Sequence, residues 1–328
     1  MHPTDVATLL AHMLARWVFA PTSESKLYLP VNDLPSPTVL EVRGLKRHFG
    51  KVPAVDGVDL NVISGEIYGF LGINGAGKTT TIRSVMGIIA PEEGTIRLVG
   101  ETTKRTSVAQ KRRIGYVSQE QNFYPWMTCK ALGKFVGSFY PTWDAAEFRR
   151  LLDVFSIPLD RKVSGLSGGM RAKLALALAV APRPELLILD EPTAGLDPVA
   201  RSEFMEIIVA QSRQHQRTTF FSSHLIDEVE RCADRIGIIH GGRMRFEGDL
   251  SELRDQVRCV CSPPEMQLDI PSHFESWRQR EQDGVMQHTF RATPEQWDAL
   301  QLPEQVAIRR LPLEAIFIAC VSAERIAI

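Results

Sequence analysis

The run Ile67-Tyr-Gly-Phe-Leu71-Gly72-Ile73-Asn74-Gly75-Ala76-Gly77-Lys78-Thr79-Thr80 sets the architecture. Its first five residues read as a short buried strand. They pass directly into the pattern Gly-x4-Gly-Lys-Thr, and a helical pattern begins at Lys78 and runs to Ile88. A strand, a Gly-rich turn and a helix in that order make a phosphate cradle. The glycines let backbone N–H groups turn inward, and the helix N-terminus adds partial positive charge. Lys78 is then placed to reach the β- and γ-phosphates of a nucleoside triphosphate, and the Thr79 hydroxyl to bind Mg²⁺. The cradle candidates are Gly72, Asn74, Gly75, Ala76, Gly77, Lys78, Thr79 and Thr80.

Two further stretches belong with this loop. Leu186-Leu-Ile-Leu189 is a continuous apolar strand, as a central parallel strand requires, and it ends in Asp190-Glu191. Alone, such an acid pair is commonplace. Behind a phosphate loop, Asp190 is expected to hold Mg²⁺ and Glu191 to polarise a water for in-line attack. Leu166-Ser167-Gly168-Gly169-Met170-Arg171 is a second Gly-rich turn, which opens a helix rich in Ala and Leu from Met170 to Val180.

Taken together, Leu166-Ser167-Gly168-Gly169, Leu189-Asp190-Glu191-Pro192-Thr193 and Gly195-Leu196-Asp197 resemble the ATP-binding cassette (ABC) ATPases. The resemblance spans roughly residues 39–249, and the other family elements fall in order. Gln119, in Tyr116-Val-Ser-Gln119, looks like the Q-loop glutamine, a catalytic and Mg²⁺-binding residue. His224, in Ser222-Ser-His224, looks like the switch histidine. Phe49 stands where the family has an adenine-stacking aromatic, with His48 and Tyr68 as nearby alternatives. Position 170 is Met where many members have Gln, and Phe49 replaces the commoner Tyr; neither change removes a catalytic group.

The resemblance implies ATP and Mg²⁺ as ligands and ATP hydrolysis as the activity, with Glu191, His224 and Gln119 catalytic and Thr79, Gln119 and Asp190 around the metal. It also implies that Ser167, Gly168, Gly169 and Asp197 act on the nucleotide of a second ABC ATPase subunit, in a homodimer or a heterodimer. Phe139-Tyr-Pro-Thr-Trp143, Met170-Arg-Ala-Lys173, Leu178-Ala-Val-Ala-Pro-Arg-Pro184 and the closing Leu311-Pro-Leu-Glu-Ala-Ile-Phe317 look like bacterial export-type cassettes. There the permease is a separate transmembrane polypeptide, and the cassette is cytoplasmic, peripheral on the inner face of the cell membrane. Gln121-Asn-Phe-Tyr-Pro-Trp126 is where such a partner is expected to press; its aromatics read equally well as core. Non-transport ABC ATPases, of the translation or DNA-repair type, usually carry two cassettes in one chain, long coiled coils or zinc inserts. This sequence has one cassette, no heptad run and no Cys-x-x-Cys.

Working outward, the expected fold is α/β: a P-loop NTPase with a mixed, largely parallel sheet, an N-terminal antiparallel β region and an inserted helical subdomain at about 120–170. Residues 1–37 read as an extension and linker, 38–249 as the ATPase domain, and 250–328 as a small α+β appendage with no Gly-rich loop. Its strands are expected at 258–261, 285–290 and 306–311, and its helices at 294–300 and 313–321. In the extension, Leu9, Leu10, Met13, Leu14, Trp17 and Val18 recur at helical spacing.

The 328 residues carry a formal net charge of −1, and 44% are hydrophobic, enough for a buried core. Near-neutral balance argues against a dedicated nucleic-acid binder. The cluster Lys104, Arg105, Lys111, Arg112, Arg113 reads as a solvated face. Five scattered cysteines suit free thiols rather than a disulfide framework or a zinc site. No stretch is long and apolar enough to span a bilayer.

Overall fold

The computed structural model describes residues 38–103 and 106–322. The expected helix of the N-terminal extension, with Lys104 and Arg105 of the basic cluster, lies outside the described residues.

Thr38–Phe49 (β1) and Val52–Ile63 (β2) pair antiparallel. Leu40 and Val42 of β1, and Val58, Leu60 and Val62 of β2, are buried at every second position, the period of a half-buried strand. Ile67–Leu71 (β3) is buried at all five positions, as a strand covered on both faces must be. It feeds the loop at 72–77 and then helix Lys78–Val85 (α1). The expected continuation to Ile88 is cut short by Gly87, which takes a left-handed φ of +64°. Glu93–Leu98 (β4) and Glu101–Thr103 (β5) complete an antiparallel sheet of order β2-β1-β4-β5.

Val108–Arg112 (α2) precedes Ile114–Val117 (β6). The region expected to be mainly helical at 125–164 holds two helices, Cys129–Gly137 (α3) and Ala145–Val154 (α4). Thr128 and Asp144 cap them by accepting from backbone N–H groups of the first turn. Gly168–Val180 (α5) leads to Leu186–Asp190 (β7), and Pro198–His215 (α6) to Thr218–Ser223 (β8). Ile226–Cys232 (α7), Arg235–His240 (β9) and Arg243–Asp249 (β10) follow. The six-stranded sheet has the order β10-β9-β3-β8-β7-β6, and only β10 runs antiparallel to its neighbour. Parallel pairing brings the carboxyl ends of β3, β7 and β8 to one edge, where open α/β sheets bind ligands.

Leu250–Gln256 (α8) opens the C-terminal part, followed by Val257–Ser262 (β11), Glu275–Gln282 (β12), Val285–Arg291 (β13), Pro294–Ala299 (α9), Ala307–Arg310 (β14) and Leu313–Ser322 (α10). Its strands form an antiparallel sheet of order β12-β13-β11-β14. Strand β12 is absent from the sequence reading because only Trp277 of its eight residues is buried, so no alternation marks it. Leu313, Ile316 and Phe317 of α10 share a core with Val229 and Cys232 of α7.

Candidate nucleotide site

The loop between β3 and α1 is shaped by glycine where no other residue fits. Gly77 has φ +109°, and a Cβ there would meet the Ala54 carbonyl oxygen at 2.5 Å. Lys78, buried at the start of α1, donates from Nζ to the Gly72 carbonyl at 2.7 Å and the Ile73 carbonyl at 3.2 Å. The same Nζ lies 2.9 Å from Glu191 Oε1. Its charge is thus held at the mouth of the cradle by the loop's own carbonyls and by the acid that follows β7.

Glu191 has φ +45°, a strained value for a non-glycine residue. Its backbone N–H donates to Ser222 Oγ at 3.0 Å, and its Oε2 meets His224 Nδ1 at 3.0 Å. One carboxylate therefore faces the lysine of the β3 loop and the histidine after β8. Asp190, one residue earlier, is fully buried. Its Oδ1 accepts from Ser222 Oγ at 2.9 Å and Thr79 Oγ1 at 3.1 Å, while Oδ2 is buried without a partner. Burial raises the Asp190 pKa above the usual carboxylate range, and the Ser222 and Thr79 hydroxyls oppose that shift. An orphaned carboxylate oxygen beside a threonine hydroxyl is an all-oxygen donor set, which fits Mg²⁺. Gln119 lies exposed just beyond the end of β6. Asn74 and Gly75 are exposed, Gly72 and Ala76 buried, and Thr80 half-buried.

Ser167, Gly168 and Gly169 stand apart from these groups. Ser167 caps α5, its Oγ accepting from Met170 N at 3.2 Å. It and Gly168 are exposed, and nothing lies within 4 Å of a Cβ placed on Gly168. Asp197 caps α6, accepting from Val199 N at 3.0 Å and Ala200 N at 2.9 Å. A Cβ on Gly169 would touch Leu196 Cδ2 at 3.5 Å and Ala200 Cβ at 3.9 Å. The turn before α5 and the turn before α6 therefore form one exposed surface. Among the adenine-stacking candidates, Tyr68 is fully buried and His48 pairs with Glu92 at 2.7 Å. Phe49 is 49% exposed, with the Arg47 guanidinium 5.3 Å from its ring centroid.

Two residues of this region escape sequence reading. Ser222 links Asp190 to Glu191 through one hydroxyl. Glu228, buried in α7, accepts from Thr193 Oγ1 at 2.5 Å and Ser223 Oγ at 2.6 Å, tying the segment after β7 to the end of β8. Neither has a local sequence signal, because both act across strands. Of the basic cluster, Arg113 is held by Glu185 and Lys111 is buried, so these two do not form a free basic face. All five cysteines are buried and free. No helix among the described residues is long and apolar enough to cross a membrane.

A family model described as ABC transporter matches residues 55–194. The bacitracin transport ATP-binding protein BcrA of Bacillus licheniformis is 35% identical over 223 residues, covering 67% of this chain and 73% of that protein. The Nod factor export ATP-binding protein I of Paraburkholderia xenovorans is 38% identical over 226 residues, covering 65% and 72%. The daunorubicin/doxorubicin resistance ATP-binding protein DrrA of Streptomyces peucetius is 36% identical over 226 residues, covering 66% and 67%. Among solved structures, an ATP-binding subunit of an ABC transporter superposes with a TM-score of 0.59 at 29% identity, covering 66% of this chain and 92% of that one. A bacterial ABC transporter cassette solved as a dimer shares the fold, with a TM-score of 0.59 at 22% identity over 64% of this chain and 98% of its own.

Proposed function

The chain belongs to the ATP-binding cassette family as a nucleotide-binding ATPase subunit, and on that premise we propose that it powers a bacterial exporter through ATP-driven dimerisation. Relatives named for bacitracin transport, Nod factor export and drug resistance support the export direction. The observation that carries the mechanism is the convergence of Lys78 Nζ and His224 Nδ1 on the two oxygens of Glu191, at 2.9 and 3.0 Å.

In this reading the loop N–H groups and Lys78 bind the β- and γ-phosphates, and Phe49 stacks on adenine. Thr79 and Asp190, with Gln119, would hold Mg²⁺, which would neutralise charge on the phosphate oxygens. Phosphate oxygens draw Lys78 away from Glu191 and free Oε1 to accept a proton from the attacking water. His224 keeps Oε2 and orients the carboxylate, and it faces the γ-phosphate. Ser167, Gly168 and Gly169 supply a hydroxyl and helix N-terminal N–H groups to the γ-phosphate on a second subunit, with Asp197 crossing the same interface. The exposure of both turns supports that assignment. Binding of ATP then closes two cassettes, and loss of the γ-phosphate releases them.

The permease is a separate transmembrane protein, met at Gln121–Trp126, which positions the cassette on the inner membrane face. Residues 38–249 are assigned as the ATPase domain and 250–328 as an accessory domain. Sedimentation velocity of Glu191→Gln tests the core of the proposal. ATP should convert this variant from monomer to a long-lived dimer, with phosphate release reduced by about 10²-fold or more. Wild-type turnover, or no ATP-dependent change in mass, refutes it.

A further inference from the structure

The phosphate loop does not keep its shape unaided. Inside it, Ala76 N donates to the Ile73 carbonyl at 3.1 Å, and at its start Gly72 N donates to the Ser223 carbonyl at 3.3 Å. A further restraint comes from the turn between β9 and β10. Gly242 N donates to the Ala76 carbonyl at 3.0 Å, and Asp56 N donates to the Gly242 carbonyl at 2.8 Å. The turn is thereby tied to β2 on one side and to the loop on the other. The contact is backbone against backbone. A Cβ on Gly77 would stand 3.5 Å from Gly242 Cα, and a Cβ on Gly242 would stand 3.1 Å from the Ala54 carbonyl oxygen. Arg243 secures the turn from outside, its Nη2 lying 2.7 Å from Asp56 Oδ2.

We propose that Gly242 is a positioning residue for nucleotide binding: its N–H pins the Ala76 carbonyl outward and so aims the Gly77 N–H into the phosphate cradle. In a trans peptide the carbonyl and the following N–H point in opposite directions, and no cis peptide occurs among the described residues. Anchoring Ala76 O therefore fixes where Gly77 N–H points. Without the anchor that peptide flips freely, and each binding event must reorder it, which lowers affinity. Gly242 never touches the nucleotide, and only glycine suits its φ of +77° beside Ala54. The inference rests on reading 72–80 as the nucleotide loop.

The test compares Gly242→Ala with Gly241→Ala in the full chain. Gly241 occupies the same turn at φ +57°, with nothing within 4 Å of an added Cβ, so it controls for backbone strain alone. Gly242→Ala should raise KM for ATP, and Kd for ADP by calorimetry, about tenfold or more. Its kcat at saturating ATP should stay within about twofold of wild type, because Glu191 and His224 are untouched. Gly241→Ala should bind both nucleotides as wild type does. Unchanged affinity in folded Gly242→Ala overturns the proposal, as does an equal loss in Gly241→Ala or a fall in kcat at constant KM. If Gly242→Ala does not fold, Arg243→Ala loosens the same turn through side chains only, with KM expected to rise about two- to threefold; no rise overturns the proposal. Lys78→Ala separates the two readings. If it binds ATP normally, the nucleotide-loop reading fails; if it loses ATP while Gly242→Ala keeps it, only the positioning role fails.

Discussion

Lys78 Nζ and Glu191 Oε1 form a 2.9 Å ion pair with side-chain exposures of only 3% and 8%. A charge so placed has two uses. Paired with Glu191 it makes a buried carboxylate tolerable, and in the proposed mechanism it swings onto phosphate and releases that carboxylate. The histidine on the other oxygen keeps Glu191 from being stranded when the lysine leaves.

Removing the lysine exposes both uses. Lys78→Ala is expected to lower ATP affinity by at least tenfold and, by unpairing Glu191, to cost about 3 kcal/mol of stability. Nucleotide titration and denaturant melts read the two effects separately. Unchanged nucleotide affinity would remove the phosphate-loop role.

The turn before α5 gives a different signature. Ser167→Arg should abolish the ATP-dependent dimer while leaving single-site ATP binding intact, since Ser167 is exposed and its hydroxyl is engaged in capping α5. Loss of the cap should cost about 1 kcal/mol as well. Sedimentation with and without ATP decides, and an unaffected dimer sinks the cross-subunit assignment.

Phe49 is the accessible ring where Tyr68 is buried and His48 is paired. Phe49→Ala should weaken ATP binding about fivefold or more, the loss of one base-stacking contact. Inorganic triphosphate, which has no base, should bind wild type and variant alike. If both ligands lose equally, the ring does not stack on adenine.

Trp126 is 61% exposed and lies 5.0 Å from Tyr124, which meets Phe135 edge-on at 5.8 Å. Trp126 is the exposed outer ring of this stack, and Tyr124 and Phe135 are half-buried. Trp126→Ala should change stability by no more than about 0.5 kcal/mol, as an exposed substitution does, and leave nucleotide affinity intact. Co-purification with the membrane subunit should fall, and full retention would argue against a docking role.

A pH effect follows from Glu66. Its side chain accepts from Ile63 N at 2.7 Å and lies 3.9 Å from Arg235. Burial raises its pKa from 4.5 to about 7; the Ile63 N–H and Arg235 oppose the shift, and Asp234 and Asp249 add to it. Between those values the folded chain holds a proton that the unfolded chain has lost, so this contribution to stability falls as pH rises from about 4.5 to about 7. Glu66→Gln keeps the acceptor and removes the titration. Its melting temperature should match wild type near pH 4.5 and exceed it above pH 7, by about 2–4 °C per kcal/mol regained. A constant difference across that range would refute the assignment.

Contiguous elements were legible from sequence. Strand β3, its glycine loop and α1 lie side by side in the chain, and the all-apolar β7 announces its own acidic end. The core of the C-terminal sheet was visible through β11, a short run buried at every position but Arg258, and through β13, which carries the buried pair Thr289 and Phe290 near its end. Strand β12 was not, because an edge strand with one buried residue leaves no pattern.

The sequence by itself determined the chemistry available: a phosphate cradle, an acid pair, a second glycine turn and a histidine, in an order that marks the family. Only the tertiary structure decided which of them meet. Parallel pairing of β3, β8 and β7 brings Lys78, His224 and Glu191 together, and leaves Ser167 and Gly168 facing outward. It also brought in Ser222, Glu228 and Gly242. Their roles depend on hydrogen bonds across strands far apart in the chain, and no local periodicity records such contacts.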